Sequence, residues 1–447
     1  MSNFNSVVKD NKLGMVSTSS KGYTLDAVII TANNGKQLDI KSYVHDIKIK
    51  EGLHRSAITV EIFIIDPVNL TNELKLSANE KINLQIGRTE PLLGDQGFNL
   101  ELYIGDISNY SEPTPASKSY TLVCVSKHMY LNNKKLLNRP FEGTAKDEIT
   151  KIVTTSLSSK LQSSSSSKGI MKGIYPNLQP LDAISWLLRN SFDDNTQMYF
   201  FESAKYGLTL TSYSAILNQD TTYAQYNRNP VLTASMYRSP ASKMFEEDRL
   251  KIQKISSSLN VSKLSASKKG AFGAVLNGID ISTKTISETL FNYKIPNKKL
   301  NSFPPINDKM TVDGQKILDF KEFKQHWISY NDNAFDTTHN NYHNSTKDQA
   351  LMKSRSSINS LDTVIADVEL AGDFNLTPGV VIGLSVLKQP DVTQELAEGE
   401  PELFDNYISG AYLVSSIVHH FGKDGYNIKA RVKKDSFMEE QLRKNDV

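Results

Sequence analysis

Cysteine is almost absent from this chain of 447 residues, because Cys124 is the only one. A single cysteine cannot form an intramolecular disulfide or a cysteine-based structural zinc site. The fold is therefore expected to form without covalent crosslinks, which fits assembly in a reducing cytoplasm.

Long apolar runs and an excess of one charge are also missing. No stretch approaches the roughly 18 apolar residues of a membrane helix, and the first twenty residues lack the apolar core of a secretory signal. We therefore predict no stable membrane insertion. The chain has 51 basic and 49 acidic residues, a formal net charge of +2, whereas DNA-binding domains usually carry a basic surplus. This balance disfavours nucleic acid as a tightly bound ligand. It is compatible with the passage of nucleic acid through a channel.

Linear catalytic motifs are missing as well. There is no phosphate-binding loop and no Gly-x-Ser-x-Gly elbow. His339 and His343 have the spacing of a zinc protease without its glutamate, so a surface loop is expected. His419 and His420 are adjacent in a predicted strand and face opposite ways, so they cannot chelate one ion. The acidic run at 246–248 is expected to be a solvated surface rather than a glycosidase pair.

We accordingly assign no catalytic, cofactor-binding or metal-binding residue and expect neither a cofactor nor an enzyme, although a triad assembled in space leaves no linear motif. Trp186 and Trp327 are too few for a sugar-binding platform and are predicted to lie in the core. Residues 163–167, all serine, are predicted to be a solvated linker. The acidic excursion at 388–406 is either a docking loop or a disordered tip. A small basic cluster is formed by Lys298, Lys299 and Lys309.

Alternating apolar residues are the clearest positive signal. Ile58, Val60, Ile62 and Ile64 share one face of a predicted strand that ends at Asp66. Further strands are predicted at 82–86, 100–107 and 120–126, the last two joined by a turn-rich segment at 108–118. Residues 22–130 are therefore predicted to form an antiparallel barrel or sandwich.

A similar order of strands recurs near the other end, at 364–370, 380–387, 407–420 and 426–433. In both places a strand is followed by an aspartate, by Asn-Leu-Thr and by the next strand. This repetition predicts a duplicated β-barrel; the alternative is that two unrelated antiparallel domains share strand and turn signals.

Between these regions the period changes to that of a helix. Thr144 and Asp147 form the ends of a predicted capping box, Pro180 is predicted to begin a second helix, and a third is predicted from Ser345 towards Ile358. A hairpin is predicted around residues 205–207.

The predicted fold is α+β and β-rich, with two duplicated antiparallel β-barrels and an inserted mixed α/β domain. The expected boundaries are a polar tail at 1–21, a first barrel at 22–130, a discontinuous mixed domain at 131–240 and 290–357, a second barrel at 241–289 and 358–436, and a charged tail at 437–447.

Two strings carry a family resemblance: AGDFNLTPGV at 371–380 and LNRPFEG at 137–143. They resemble the baseplate central hub proteins of T-even-type, contractile-tailed bacteriophages. The resemblance implies tail-tube-like barrels and a structural homotrimer whose six barrels form a pseudo-six-fold ring. Such a ring adapts the six-fold tail tube to the three-fold cell-puncturing spike and encloses a channel.

The partners implied by the resemblance are the trimeric central spike, tail tube or tube-initiator proteins, the tape-measure protein, and DNA only as a passing strand. The implied location is the tail baseplate of a virion assembled in the host cytoplasm. The alternatives are the hub of a related contractile injection system, a cell-wall hydrolase, which needs an acidic pair in a cleft, and a carbohydrate-binding adhesin, which needs exposed aromatic clusters.

Overall fold

A computed structural model describes most of the chain. The described residues are 22–88, 97–217 apart from 115, 116, 166, 168, 194 and 195, 225–228, 252–259, 273–280, 284–292, 311–316, 324–330, 351–386 apart from 353, 357, 359 and 360, 405 and 407–434. The protein is β-rich with large antiparallel sheets, as predicted.

The first part of the chain forms seven strands. They are β1 (Thr24–Thr31), β2 (Gln37–Asp39), β3 (Val44–Gly52), β4 (Thr59–Asp66), β5 (Lys81–Gly87), β6 (Phe98–Thr114) and β7 (Ser117–Ser126), with a 3-10 turn at Lys41–Tyr43 and helix α1 at Leu70–Glu73. The predicted alternation in β4 is confirmed, because Val60, Ile62 and Ile64 are fully buried.

The turn-rich segment predicted at 108–118 is mostly strand. β6 runs to Thr114 and pairs with β7 through three shifts of register, one of them between Ser108 and Ser111. Asn109 lies there with a φ of 53°, in the left-handed region that asparagine tolerates best after glycine. The turn residues therefore produce bulges in a long hairpin rather than ending the strands.

The mixed α/β region follows, and the helix starts predicted at Thr144 and Pro180 are confirmed. The helix start predicted at Ser345 lies outside the described residues. Its elements are α2 (Lys127–Lys134), β8 (Pro140–Thr144), α3 (Ala145–Thr155), β9 (Gln162–Ser163), β10 (Ile170–Ile174), α4 (Pro180–Arg189), β11 (Phe192–Asp193), β12 (Thr196–Ser203), β13 (Gly207–Ser212) and α5 (Tyr213–Leu217). The Thr144 hydroxyl accepts the Asp147 N–H at 3.2 Å and caps α3. Pro180 begins α4, and Trp186 packs against the core of this region, as predicted.

The serine tract at 163–167 is not a solvated linker, so that prediction is wrong. Ser165 and Ser167 are buried, and the Ser167 hydroxyl accepts the Lys146 N–H at 2.9 Å. Ser163 lies in β9, which pairs in parallel with β13. The hydroxyls of Ser163 and Ser167 fit here because each satisfies a backbone group, the Ser165 carbonyl and the Lys146 N–H respectively.

The remaining strands complete the fold. They are β14 (Gln225–Arg228), β15 (Ile252–Leu259), β16 (Gly273–Asp280), β17 (Thr285–Asn292), β18 (Thr311–Val312), β19 (Gln315–Lys316), β20 (Gln325–Tyr330), β21 (Val364–Ala371), β22 (Val381–Val386), β23 (Gly410–Gly422) and β24 (Gly425–Lys434). Of the predicted range 241–289, the described strand that joins the main sheet is β15, while β16 and β17 form a separate sheet with β20.

Trp327 was predicted to be a core residue and is instead 61% exposed. It lies on β20 opposite Asn277 of β16. The neighbouring residue of β16, Leu276, points to the other face and packs against Met352. Trp327 lies on the face of this sheet opposite that contact and on β20, which is an edge strand of this sheet.

The main sheet contains thirteen strands, and within it two sets of strands pair in the same order. The first set reads β3-β4-β7-β6-β5 and the second reads β15-β21-β24-β23-β22. An antiparallel pairing of β3 with β23 joins the sets into one sheet. Among the described residues no strand pair closes either set on itself, so the closure of each set into a barrel stays a prediction.

The two sets also carry bulges at corresponding places. The register shifts between Val44 and Asp46 where β3 meets β4, and between Ile252 and Lys254 where β15 meets β21. It shifts again after Ile104 in β6 and after Val414 in β23. Bulges bend and twist a strand locally, so the two sets share their local bends as well as their connectivity.

The mixed region is attached to both sets by a small apolar cluster and one buried carboxylate. Leu53 of the first set and Leu413 of the second pack with Tyr199 and Phe201 of β12. Next to them Glu202 accepts the Ile58 N–H at 3.0 Å and lies 3.0 Å from Nδ1 of His128.

We expect Glu202→Ala to lower the urea midpoint by the equivalent of about 2–4 kcal/mol, because it leaves a buried N–H and a buried imidazole without their partner. The matched control is Glu142→Ala, since Glu142 forms an exposed ion pair with Lys172 of a kind that contributes about 0–1 kcal/mol. Circular dichroism during urea titration measures both. Equal midpoints for the two variants would contradict a structural role for the buried carboxylate.

Candidate assembly site at the junction of the two strand sets

The junction is built from β3 and β23, whose paired residues run from Ser416 opposite Gly52 to Phe421 opposite Ile47. The inward positions are apolar apart from one pair of residues. Ile47 and Ile49 of β3 and Ile417 and Phe421 of β23 are at most 1% exposed. Their burial joins the cores of the two sets into one hydrophobic cluster.

The exception is a buried pair formed by Glu51 and His419, which are 1% and 0% exposed. Nε2 of His419 lies 3.4 Å from Oε1 of Glu51, while its Nδ1 lies 2.8 Å from the Tyr426 hydroxyl. Among the described residues neither carboxylate oxygen of Glu51 has a hydrogen-bond partner. A buried carboxylate is costly without a compensating charge, so the imidazole beside it is the group on which its burial depends.

The adjacent histidine faces the other side of the sheet, as the strand period predicts. Nε2 of His420 lies 2.6 Å from Oδ1 of Asp46, and both side chains are partly exposed. The two histidines thus each meet a carboxylate of β3, on opposite faces.

An aromatic cluster lies beside this pair and contains residues of both sets. The Phe98 ring contacts Phe374, Phe421 and His419 edge to face at centroid distances of 4.9, 6.4 and 5.1 Å. Phe421 stacks on Tyr426 at 4.2 Å. Such pairs contribute about 0.5–1.5 kcal/mol each beyond their burial, so the cluster holds the two sets together independently of the backbone pairing.

The loop at 372–379 supplies part of this aromatic cluster, and its contacts there constrain the residues at positions 372 and 374. Phe374 enters the cluster from the loop, and a Cβ on Gly372 would lie 2.0 Å from the Tyr426 ring. Arg88 of the first set donates to the Gly372 carbonyl at 3.0 Å. The string that carries the family resemblance therefore lies at the junction of the two sets.

Most of the other residues singled out in the sequence cannot be placed relative to this site. His339, His343, residues 246–248 and the lysines 298, 299 and 309 lie outside the described residues, as does the segment 388–404. Asp405, at the end of the acidic excursion, accepts the N–H groups of Tyr407 and Ile408 at 2.8 and 3.2 Å. It begins the turn that precedes β23.

The described residues contain neither a metal-binding cluster nor a membrane-spanning helix. In this part of the chain no three His, Cys, Asp or Glu side chains lie close enough together to hold a metal ion. The helices described above include none with the length and apolarity required to cross a membrane.

Comparison with solved structures identifies the fold. The chain is similar to a tail protein of Neisseria meningitidis MC58, with a TM-score of 0.51 and 12% identity over 93% of this chain and 97% of that one. It is equally similar to the 43 kDa tail protein of prophage MuSo2 from Shewanella oneidensis, with a TM-score of 0.51 and 9% identity over 92% and 99% of the two chains. The chain has the fold of phage tail proteins.

A component of the Escherichia coli type VI secretion system, described as structurally similar to phage T4 tail proteins gp27 and gp5, matches over 88% of this chain and 74% of its own, with 9% identity and a TM-score of 0.43. No protein-family model and no curated protein matches the sequence. The likeness is therefore one of structure at very low sequence identity.

The first site prediction concerns Gly372. We expect Gly372→Ala to lower the urea midpoint by the equivalent of about 1–3 kcal/mol, because the added methyl group overlaps the Tyr426 ring and overpacks the aromatic cluster. Gly105→Ala is the matched control, since its nearest neighbour would lie at an ordinary 3.5 Å. If both variants unfold at the wild-type midpoint, the close approach of the ring is not structurally important.

The second site prediction concerns the buried pair. His419→Leu is expected to cost about 3–5 kcal/mol, because it leaves the Glu51 carboxylate buried among apolar groups. Glu51→Leu should cost less, because a neutral imidazole can keep its contact with Tyr426. The double variant Glu51→Leu, His419→Leu should regain much of the loss.

Urea titration of the two single variants and the double variant gives the coupling free energy directly. Additive effects of the two substitutions, with no recovery in the double variant, would contradict the pairing of these two side chains.

Proposed function

We propose that this protein is a non-enzymatic structural subunit of a phage-type tail, which forms a homotrimeric ring as a baseplate hub. The observation that carries the proposal is the pair of strand sets with identical pairing order and matching bulges, joined side by side through β3 and β23. Each set is taken to close into one barrel. Three chains then supply six similar barrels around one axis.

A ring of this kind has a mechanical use. Its six barrels match a six-fold tail tube on one face, while the mixed regions, one in each chain, present three-fold symmetry on the other. The proposed partners are therefore the tail tube or a tube initiator on one side and the trimeric spike on the other. The tape-measure protein and then DNA would pass through the centre, and the protein would reside in the virion baseplate.

The near balance of charge suits a channel of this kind. The chain carries 51 basic and 49 acidic residues, and a strongly basic wall would hold a passing DNA strand by its phosphates. The tail-protein fold and the joined strand sets support this role, and the same architecture would serve as the hub of a related contractile injection system.

We expect light scattering of the purified full-length protein to give three times the 50.0 kDa of one chain. Electron microscopy of the same sample should show rings with six similar lobes when viewed along the axis. A species that remains monomeric at every concentration and with a candidate spike protein would overturn the proposal. A trimer with three lobes would overturn the assignment of one barrel to each strand set.

A further inference from the structure

Two strand edges that correspond to the internal junction carry no paired strand among the residues that the structure describes. One is the outer edge of β15, which pairs with β21 on its other side. The other is the part of β6 beyond Tyr103, where its pairing with β5 has ended. These are the edges that correspond to β3 and β23, which form the junction inside the chain.

The bulges fix the correspondence residue by residue. The shift in β3 places Asp46 where β15 has Lys254, so Glu51, five residues later, corresponds to Leu259. The shift in β23 places Ser416 where β6 has Asp106, so Ile417 corresponds to Ile107. The internal junction sets Ile417 opposite Glu51, and the counterpart of that pair is Ile107 opposite Leu259.

We propose that the outer edge of β15 in one copy pairs antiparallel with β6 of a second copy, in the register of the internal junction. Ile107 then lies opposite Leu259 and Ser108 opposite Ser258. The inference rests on the proposed ring and names the surface that closes it. Because one chain contributes a β15 edge and the next a β6 edge, the contact is head to tail and forms a closed ring when the rotation between copies permits.

The exposed side chains at these edges fit the contact. Leu259 is 42% exposed, although it lies opposite the fully buried Val364 on the inward face of the sheet. Tyr110 is 49% exposed and stacks at 5.9 Å on the buried Tyr120. Tyr120 in β7 corresponds to Ile428 in β24, the partner of His419. Tyr110 and Leu259 thus occupy the places of His419 and Glu51.

The contact between copies is therefore expected to be apolar where the internal one buries an ionisable pair. A leucine and a tyrosine are stabilised in proportion to the apolar area that the contact removes from water, and they need no compensating charge. The bulge at Asn109 gives β6 an extra residue relative to β23, so the shared register extends as far as Ser108. Bulges are also a common way to restrict pairing at an open edge, which would limit addition here to the matching strand.

Disulfide crosslinking of the full-length chain tests this register, with Cys124→Ala as the background. The two in-register variants carry Ser108→Cys with Ser258→Cys, and Ile107→Cys with Leu259→Cys. Opposed antiparallel pairs alternate between wide and narrow spacing, so one of these two adjacent pairs is of the narrow kind. After mild oxidation, we expect covalently linked trimers on a non-reducing denaturing gel from at least one variant.

The matched control combines Ser108→Cys with Ser256→Cys. It shifts the second cysteine by two residues, about 6.7 Å along the strand, which is beyond the reach of a disulfide in the proposed register. Crosslinking of the control as readily as the in-register variants would overturn the register.

Light scattering separates failure of this inference from failure of the proposed function. A trimer in which neither in-register variant crosslinks keeps the ring and overturns these edges as its contact. A protein that stays monomeric overturns both.

In a second measurement, Leu259→Asp should weaken the trimer at least tenfold, while Ile65→Asp, at a 38% exposed position on β4, should leave it intact. Equal effects of the two substitutions would also overturn the contact.

Discussion

The pairing of β3 with β23 is the interaction on which the rest of the structure depends. It converts two sets of strands, distant in sequence, into one sheet and brings their cores into a single apolar cluster. The loop at 372–379, Arg88 and the mixed region all bind where this pairing places them. Without it, Glu51 and His419 would each be a polar residue on an open strand edge rather than a buried pair.

The strands that carry the two sets could be predicted from the period-two alternation of their apolar residues, because one face of each is buried and the other is not. The helix starts at Thr144 and Pro180 could also be predicted from the sequence, because the effect of these residues on the backbone is local. The order of pairing could not be derived in this way. It depends on contacts between residues hundreds of positions apart, which periodicity does not encode.

The most important omission was β3. Ile47 and Ile49 alternate with Lys48 and Lys50, a pattern that predicts a strand. His419 and His420 were correctly read as unable to share a metal ion, yet their carboxylate partners lie on β3 and had no signal in the sequence around the histidines. The burial predicted for Trp327 and the exposure predicted for the serine tract were both wrong. Burial at these positions depends on which elements cover them, and the local sequence does not encode that.

The covalent link between the two sets changes the concentration dependence of any ring built from them. Within one chain, β3 and β23 meet at the high effective concentration that a tether provides. At equilibrium the amount of a ring of three chains depends on the third power of the free-chain concentration, whereas that of a ring of six separate sets would depend on the sixth power. A scarce component can in this way complete a ring at a protein level at which six separate subunits would remain apart.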